Sequence, residues 1–485
     1  MRLSDLPVLP AGGLVTGQVA ARYAGANYRV PLSDISGGVT AAVSPQQYGG
    51  DPTGSAAADA AVAAAFATGR PVLIDGWYRL TSTLAIPANS QMQLADYDCG
   101  FIADMATGYA LTFGNDCIVP SLRVKSVAYP VSAIANNTDW NLYNRAVKSG
   151  NRCQFGTAWL DGLAGGLDIS DVVGCRVDAC IATNIRTRYG WGAGLHIAGG
   201  SNHRVGYVYV GQSDRGCEVE KGTVDVQIAS YLFESIYPNG YTGAPADGTG
   251  STNYLRTSWS GPNVHSHVGE PPCRDIVWGD GVVRDCVNPI NVQSSASSDT
   301  TTYPEGVKIG RVVIESPRVA STQTFKEVAS LCGRGVVIDE ITFTGTPQAE
   351  IDAMISTWGA YSEDIEVRRV KAKAGSWYGR MVQFAAPESR IGSYDIATQA
   401  TTDTTRRANP AMNVAAAARN FSFGAGLWRA PQYHAALFHA QGGGTPAGGR
   451  RVGTRIIAAG SNQPAAVEAA SFAALTVFRS DNIDA

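Results

Sequence analysis

The sequence predicts an all-β protein, a right-handed single-stranded parallel β-helix, on three observations. The first is a tandem of similar phrases between Gly166 and Val226. Gly166-Leu167-Asp168-Ile169-Ser170 leads to Arg176-Val177-Asp178, Gly194-Leu195-His196-Ile197-Ala198 to Arg204-Val205-Gly206, and Gly216-Cys217-Glu218-Val219-Glu220 to Asp225-Val226-Gln227. Each phrase alternates apolar and polar residues, the mark of a strand with one buried face. A unit this short cannot bury that face alone, whereas stacked copies can. The second observation is that the repeat continues. Phe155 lies 22 residues before Val177, further strands open around Ile276, Val307, Val336, Ile365 and Ile391, and Ile309, Ile338 and Val367 are spaced by 29. The third is composition: charged residues are only 16% and glycines number 55, which suits many strands and turns rather than long amphipathic helices. An evenly spaced sandwich is the alternative, but two-residue Asn-Gly or Asp-Gly turns between these strands are mostly missing.

Charge and hydropathy exclude some functions. The formal net charge is −3, which gives no reason to expect a nucleic-acid partner. No run of 18 apolar residues marks a membrane span, and Met1 to Pro7 lack the apolar core of a signal peptide. The nine cysteines show no paired CxxC spacing, and Cys117, Cys153 and Cys175 each open a second strand, so they read as small buried packing residues.

Residues 1–42 form an arm too short for its own core, with a Pro/Gly connector at Leu6–Gly13 and one short strand near Asn27–Leu32. Residues 43–400 carry the repeats. They begin with an Ala-rich helix over 55–67, with Ser55 as its N-cap and Gly69 as its stop. Residues 401–485 break the pattern at Ala415–Ala418 and Gln441–Pro446. They read as a small β-rich unit that covers the open, unpaired end of the coil.

The run Val43–Gly54, the Ala helix, and Gly69-Arg70-Pro71-Val72-Leu73-Ile74-Asp75-Gly76-Trp77-Tyr78 resemble the entry segment of pectate-lyase-like β-helix proteins, a segment common in bacteriophage tailspikes. The match is partial, since Asp51-Pro52-Thr53-Gly54 replaces an Asp-Gly-Thr-Asp-Asp-like run. The resemblance implies a homotrimer carried on a virion. Residues 1–42 would attach it to a phage tail or baseplate, 401–485 would cap and trimerise it, and the ligand would be a bacterial surface polysaccharide. Such a protein is assembled in the host cytoplasm.

Alternation turns Leu167, Ile169, Leu195, Ile197, Cys217 and Val219 inward, so Asp168, His196 and Glu218 point outward in one file. Lys148 and Asn291 extend it. Stacked strands lie about 4.8 Å apart, which puts Asp168 and Glu218 roughly 9.6 Å apart along the backbone. Inverting glycosidases hold their acid and base roughly 6.5–9.5 Å apart. Glycosidic hydrolysis by Glu218 and Asp168 with His196 between them is therefore the leading expectation, and Glu220, Glu234, Asp214 and Glu270 are rival carboxylates. An inert solvated face is the plain alternative. A lyase acting by β-elimination, with Lys148 or Lys221 as base, and a spike that binds without cutting stay open.

The gap from Val226 to Trp278 predicts one long loop over 236–273. Its Tyr237, Tyr241, Tyr254 and Trp259, with Tyr189 and Trp191 before His196, are candidate sugar-stacking residues, or simply hold the loop together. His265-Ser266-His267 can ligate a metal, but a lone HxH is a weak signal; neither a metal nor a cofactor is expected.

Overall fold

The computed structural model describes residues 18–23, 26–31, 42–126, 144–187, 192–236, 260–295, 301–318, 327–345, 353–372, 380–397, 412–415, 417–429, 436–440, 447–457, 466–468, 470–475 and 477–480. From residue 42 onward the chain is a parallel β-helix. Two long ladders of parallel strands run its length, and successive coils contribute one strand to each. The short-strand ladder runs from Leu84–Ile86 through Gly165–Ser170, Ala193–Ala198, Arg215–Glu220, Pro262–Ser266 and Ile290–Ser294 to Ala466–Glu468. The long-strand ladder runs from Thr53–Ala57 through Arg176–Thr183, Ser201–Gly211, Val224–Glu234 and Arg274–Arg284 to Val477–Ser480. It stays open and forks once, where the halves of Arg419–Arg429 pair with Ala447–Val452 and Thr454–Ile457. Inward side chains from both ladders form one continuous apolar core. The expected spacing is real: Ile309 pairs with Ile338, and Ile338 with Val367.

The corners explain why polar and glycine residues punctuate the repeat. A left-handed residue marks the start of the long strand in coil after coil, either just before it or as its second residue: Asp116, Arg152, Gly174, Asn202, Asp225, Asp275, Gly306, Gly335, Asp364, Glu388, Asn420 and Gly448. A second such file follows it: Gly162, Asn184, Gln212, Ser235, Asp285, Ser316 and Gly345. Glycine, Asn and Asp bear this conformation at the least cost. All nine cysteines are buried and free.

Four expectations need correction. The helix spans Asp59–Ala67, not 55–67, and Ser55 does not cap it. Asp51 accepts the N–H groups of Thr53, Ser55 and Ala56 and keeps that stretch extended, so the strand Thr53–Ala57 comes first. Gly69 does take the left-handed turn that ends the helix. Val205 pairs with Ile228, and Val226 pairs with His203, a shift of two residues that keeps the same face inward. The stretch 236–273 is not one loop, because Pro262–Ser266 is a strand of the short ladder, with a single inward Val264 as its sequence signal. The boundary at 401 does not interrupt the coil, since Met412–Val414, Arg419–Arg429 and later strands continue both ladders. Before the coil, Gln18–Tyr23 and Ala26–Pro31 form an antiparallel hairpin.

Candidate active site

The short-strand ladder places Lys148 beside Asp168, Asp168 beside His196, His196 beside Glu218, Glu218 beside Asn263 and Asn263 beside Asn291. Parallel pairing in register turns every second residue to the same side, so these residues form one outward file over the apolar core. The expected alignment holds, but the file is not a solvated face: Asp168, His196, Glu218, Asn263 and Asn291 are all buried. Glu220, two residues past Glu218, opens a parallel file and pairs with His265 on the next coil.

The side chains connect differently from their backbones. His196 donates from Nδ1 to Asp168 Oδ1 at 3.2 Å and from Nε2 to Glu220 Oε1 at 2.9 Å, so it bridges to Glu220 rather than Glu218. His267 Nε2 reaches the other Glu220 oxygen at 2.8 Å. Tyr109 and Ser170 donate hydroxyl protons to Asp168, and Arg145 donates to the Tyr109 oxygen at 2.6 Å. Arg215, which opens the same strand, holds Glu218 Oε1 at 2.7 Å. Asn291 Nδ2 donates to Asn263 Oδ1 at 2.8 Å.

Charge follows from these contacts. Burial alone would raise the Asp168 carboxyl, but the bonds from His196, Ser170 and Tyr109 outweigh it and hold the group at about 2. Burial likewise opposes the ionised Glu220, and the two imidazoles hold it well below the usual carboxylate range. Burial opposes the His196 imidazolium, yet its two carboxylate partners raise it to about 10. A histidine donating from both nitrogens is the charged form. The bond to Glu220 raises His267, whereas burial and the charge of His267 push His265 down to about 3. Burial and the Asp168 charge keep the Tyr109 phenol protonated. The result is a buried run of anion, cation and anion, Asp168–His196–Glu220, closed by the half-exposed His267 and flanked by Arg145–Tyr109 at one end and Arg215–Glu218 alongside.

Of the remaining sequence candidates, Asp214 and Glu234 fall elsewhere, while Lys148, Lys221 and Glu270 border the file or the Glu220–His267 pair. Asp214 is fully buried and accepts from the backbone N–H of Thr187 at 2.6 Å, which is a turn-fixing role away from the file. Glu234 ends a long strand on the other ladder and pairs with Arg284 at 3.1 Å. Glu270 sits in the turn after His267, where its N–H donates to the His267 carbonyl. Lys148 is half-buried, its Nζ 5.9 Å from the Tyr109 ring centre. Lys221 Nζ lies 3.9 Å from Glu220. Tyr189, Trp191, Tyr237, Tyr241, Tyr254 and Trp259 lie outside the described residues.

Sequence reasoning missed Tyr109, Arg145 and Arg215, which open their strands ahead of the alternating segment and carry no periodic signal. It also missed an aromatic and cationic surface on the long-strand ladder. Lys125 Nζ stands 3.6 Å from the Trp77 ring centre and Arg123 5.3 Å, while Tyr97 and Trp159 meet edge to face at 5.5 Å. A groove of about 240 Å³ lies there, lined by Arg123, Lys125, Trp159, Asp161, Ile181 and Thr183 among others. Outward Trp and Lys/Arg residues on neighbouring strands were the available signal.

No family model and no curated protein match the chain. Among solved structures, it is similar to the Streptococcus pneumoniae surface protein and adhesin PfbA (11% identity, 91% of this chain, 98% of that chain, TM-score 0.37). It is also similar to the pre-mature gene product 12 of bacteriophage phi29 (10% identity, 90% of this chain, 72% of that chain, TM-score 0.19). At these scores the strand ladders alone carry the assignment to the parallel β-helix fold.

Proposed function

We propose that this protein is a trimeric phage tailspike that grips a bacterial surface polysaccharide along the outward file and cuts it by glycosidic hydrolysis. The observation that carries the reading is the placing of Asp168, His196 and Glu218 on three successive coils, with Glu220 joined to them through His196. A buried set of fixed charges on an otherwise regular outer face costs stability, and such sets collect where chemistry or binding needs them. In this reading Asp168, kept ionised, is the base that activates water. Glu218 is the acid: substrate displaces Arg215, and the freed carboxylate takes a proton from water and passes it to the leaving oxygen. Groups matched in this way supply general acid–base catalysis. The groove beside Trp77 and Trp159 offers ring faces for sugars and cations for acidic ones.

One observation favours a second reading, binding without cleavage. Asp168, held at about 2, is a weak base, and Arg215 occupies Glu218 Oε1 at 2.7 Å. Incubation with capsular and O-antigen polysaccharides decides between the two. Shortened chains with no ultraviolet absorbance from an unsaturated uronate mean hydrolysis, and that absorbance means a lyase. Binding with no shortening leaves a spike that only adheres. Glu218→Gln should lose at least a hundredfold in cutting rate and keep binding; unchanged cutting would remove Glu218 from the chemistry. A sedimentation mass of one 50.9 kDa chain rather than three would remove the trimer.

A further inference from the structure

We propose that Glu220, His265 and His267 form a binding site for a divalent transition-metal ion, best suited to zinc. His265 lies in the strand Pro262–Ser266 and His267 follows it, while Glu220 ends the strand of the preceding coil and pairs with His265 in register. One donor atom from each of the three lies within 4.8 Å of the other two. His267 Nε2 and Glu220 Oε2 are 2.8 Å apart, and the two imidazole rings lie 4.1 Å centre to centre. Two imidazoles and one carboxylate are the donor set that zinc takes with water as fourth ligand, at bonds of about 2.0–2.1 Å. Bonds of that length at tetrahedral angles need donors about 3.3 Å apart, so closing on an ion asks for side-chain shifts of about an ångström. Nitrogen donors at two of three positions disfavour calcium and magnesium, which take oxygen.

The surroundings suit the role. Glu220 uses Oε1 to accept from His196 and has Oε2 facing the histidine pair, so one oxygen is oriented by a neighbour and the other can reach the ion. His265 and Glu220 are buried on rigid strands and His267 is half-exposed, which leaves an entry path. His196, Glu218 and Glu220 also converge, but both His196 nitrogens are engaged by carboxylates and Glu218 is held by Arg215. The His265–His267 side of Glu220 is therefore the ion's side. The inference does not depend on whether the file cuts a glycan.

The test uses the full, tag-free chain stripped with a chelator and titrated with zinc chloride in a calorimeter. One ion per chain with a dissociation constant in the micromolar range or below is expected, with calcium chloride giving no heat. His267→Gln changes a half-exposed side chain and should weaken zinc at least tenfold with the circular-dichroism spectrum unchanged. The cobalt-loaded wild type should show the visible bands of a four-coordinate ion, and the variant should not. Absence of stoichiometric zinc binding, or unaltered affinity in His267→Gln, overturns the site. His265→Gln is the second variant and must lower affinity wherever it folds.

Discussion

At pH 7 His196 carries its proton between two carboxylates, and removing it strands both. His196→Gln should cost about 3–5 kcal/mol, since it leaves buried charges uncompensated. Urea unfolding in chelator-treated buffer measures this, and a loss below about 1 kcal/mol would mean the trio is not charged. The pH dependence has a defined sign. The folded pKa of His196, about 10, stands above the unfolded value near 6.5, so its stabilisation is complete below 6.5 and lost as pH rises through 10. Asp168 is depressed to about 2, so its contribution is present above 3.8 and lost as pH falls through 2. Buried His203 and His265 oppose it on the acid side. Burial lowers them to about 4 and about 3, so the unfolded chain takes up their protons first and stability falls between pH 6.5 and 4. The His196→Gln penalty should therefore be largest between about pH 4 and 6.5 and shrink as pH rises towards 10. The file of Asp168, His196 and Glu218 was legible in the sequence, because strand alternation fixes which face each residue takes. The bridge to Glu220 was not, because it depends on side-chain reach and on Arg215 having claimed Glu218.

Among the elements, the long strand is set by its corners. It is bracketed by left-handed residues, and in its middle small residues let one coil approach the next. At Gly279 a Cβ would stand 1.9 Å from the Ala229 carbonyl oxygen, and at Gly424 1.7 Å from that of Gly392. The same register position holds Gly279 and Gly310 on neighbouring long strands and, after Asp339 and Arg368, Gly392 and Gly424, a recurrence visible without coordinates, although its cause is contact between coils. Gly279→Ala should cost more than the roughly 1–2 kcal/mol that a left-handed alanine costs at Gly269, where the turn is open. Unfolding of the two variants side by side checks this, and equal losses would mean the coils have room to spare. The same logic accounts for what sequence reading placed wrongly. Ala56 and Ala57 have high helix propensity, but the Asp51 carboxylate captures the N–H groups that a helix would use. The strand Pro262–Ser266 went unread because one apolar residue between polar neighbours gives no period.

For the whole molecule, each coil touches only the coils on either side, and stability is then a sum of local terms. The core is continuous, but the strand that carries Ile338 pairs with Lys308–Glu315 and Ile365–Ala372, and intervening strands separate it from the coils that carry the candidate site. Ile338 is fully buried between Ile309 and Val367. Ile338→Ala removes three carbons there and should cost about 2–5 kcal/mol. In a globular domain with one shared core that loss would lower protection everywhere. In a stack it should open the strands Lys308–Glu315, Val337–Thr344 and Ile365–Ala372 first, leaving Gly165–Ser170, Ala193–Ala198 and Arg215–Glu220 as slow to exchange as before. Hydrogen exchange read by mass spectrometry resolves these segments. Uniform acceleration across both groups would mean the coil unfolds as one cooperative unit, and substitutions far along the stack would then act on the Asp168–His196–Glu220 chain as directly as its neighbours do.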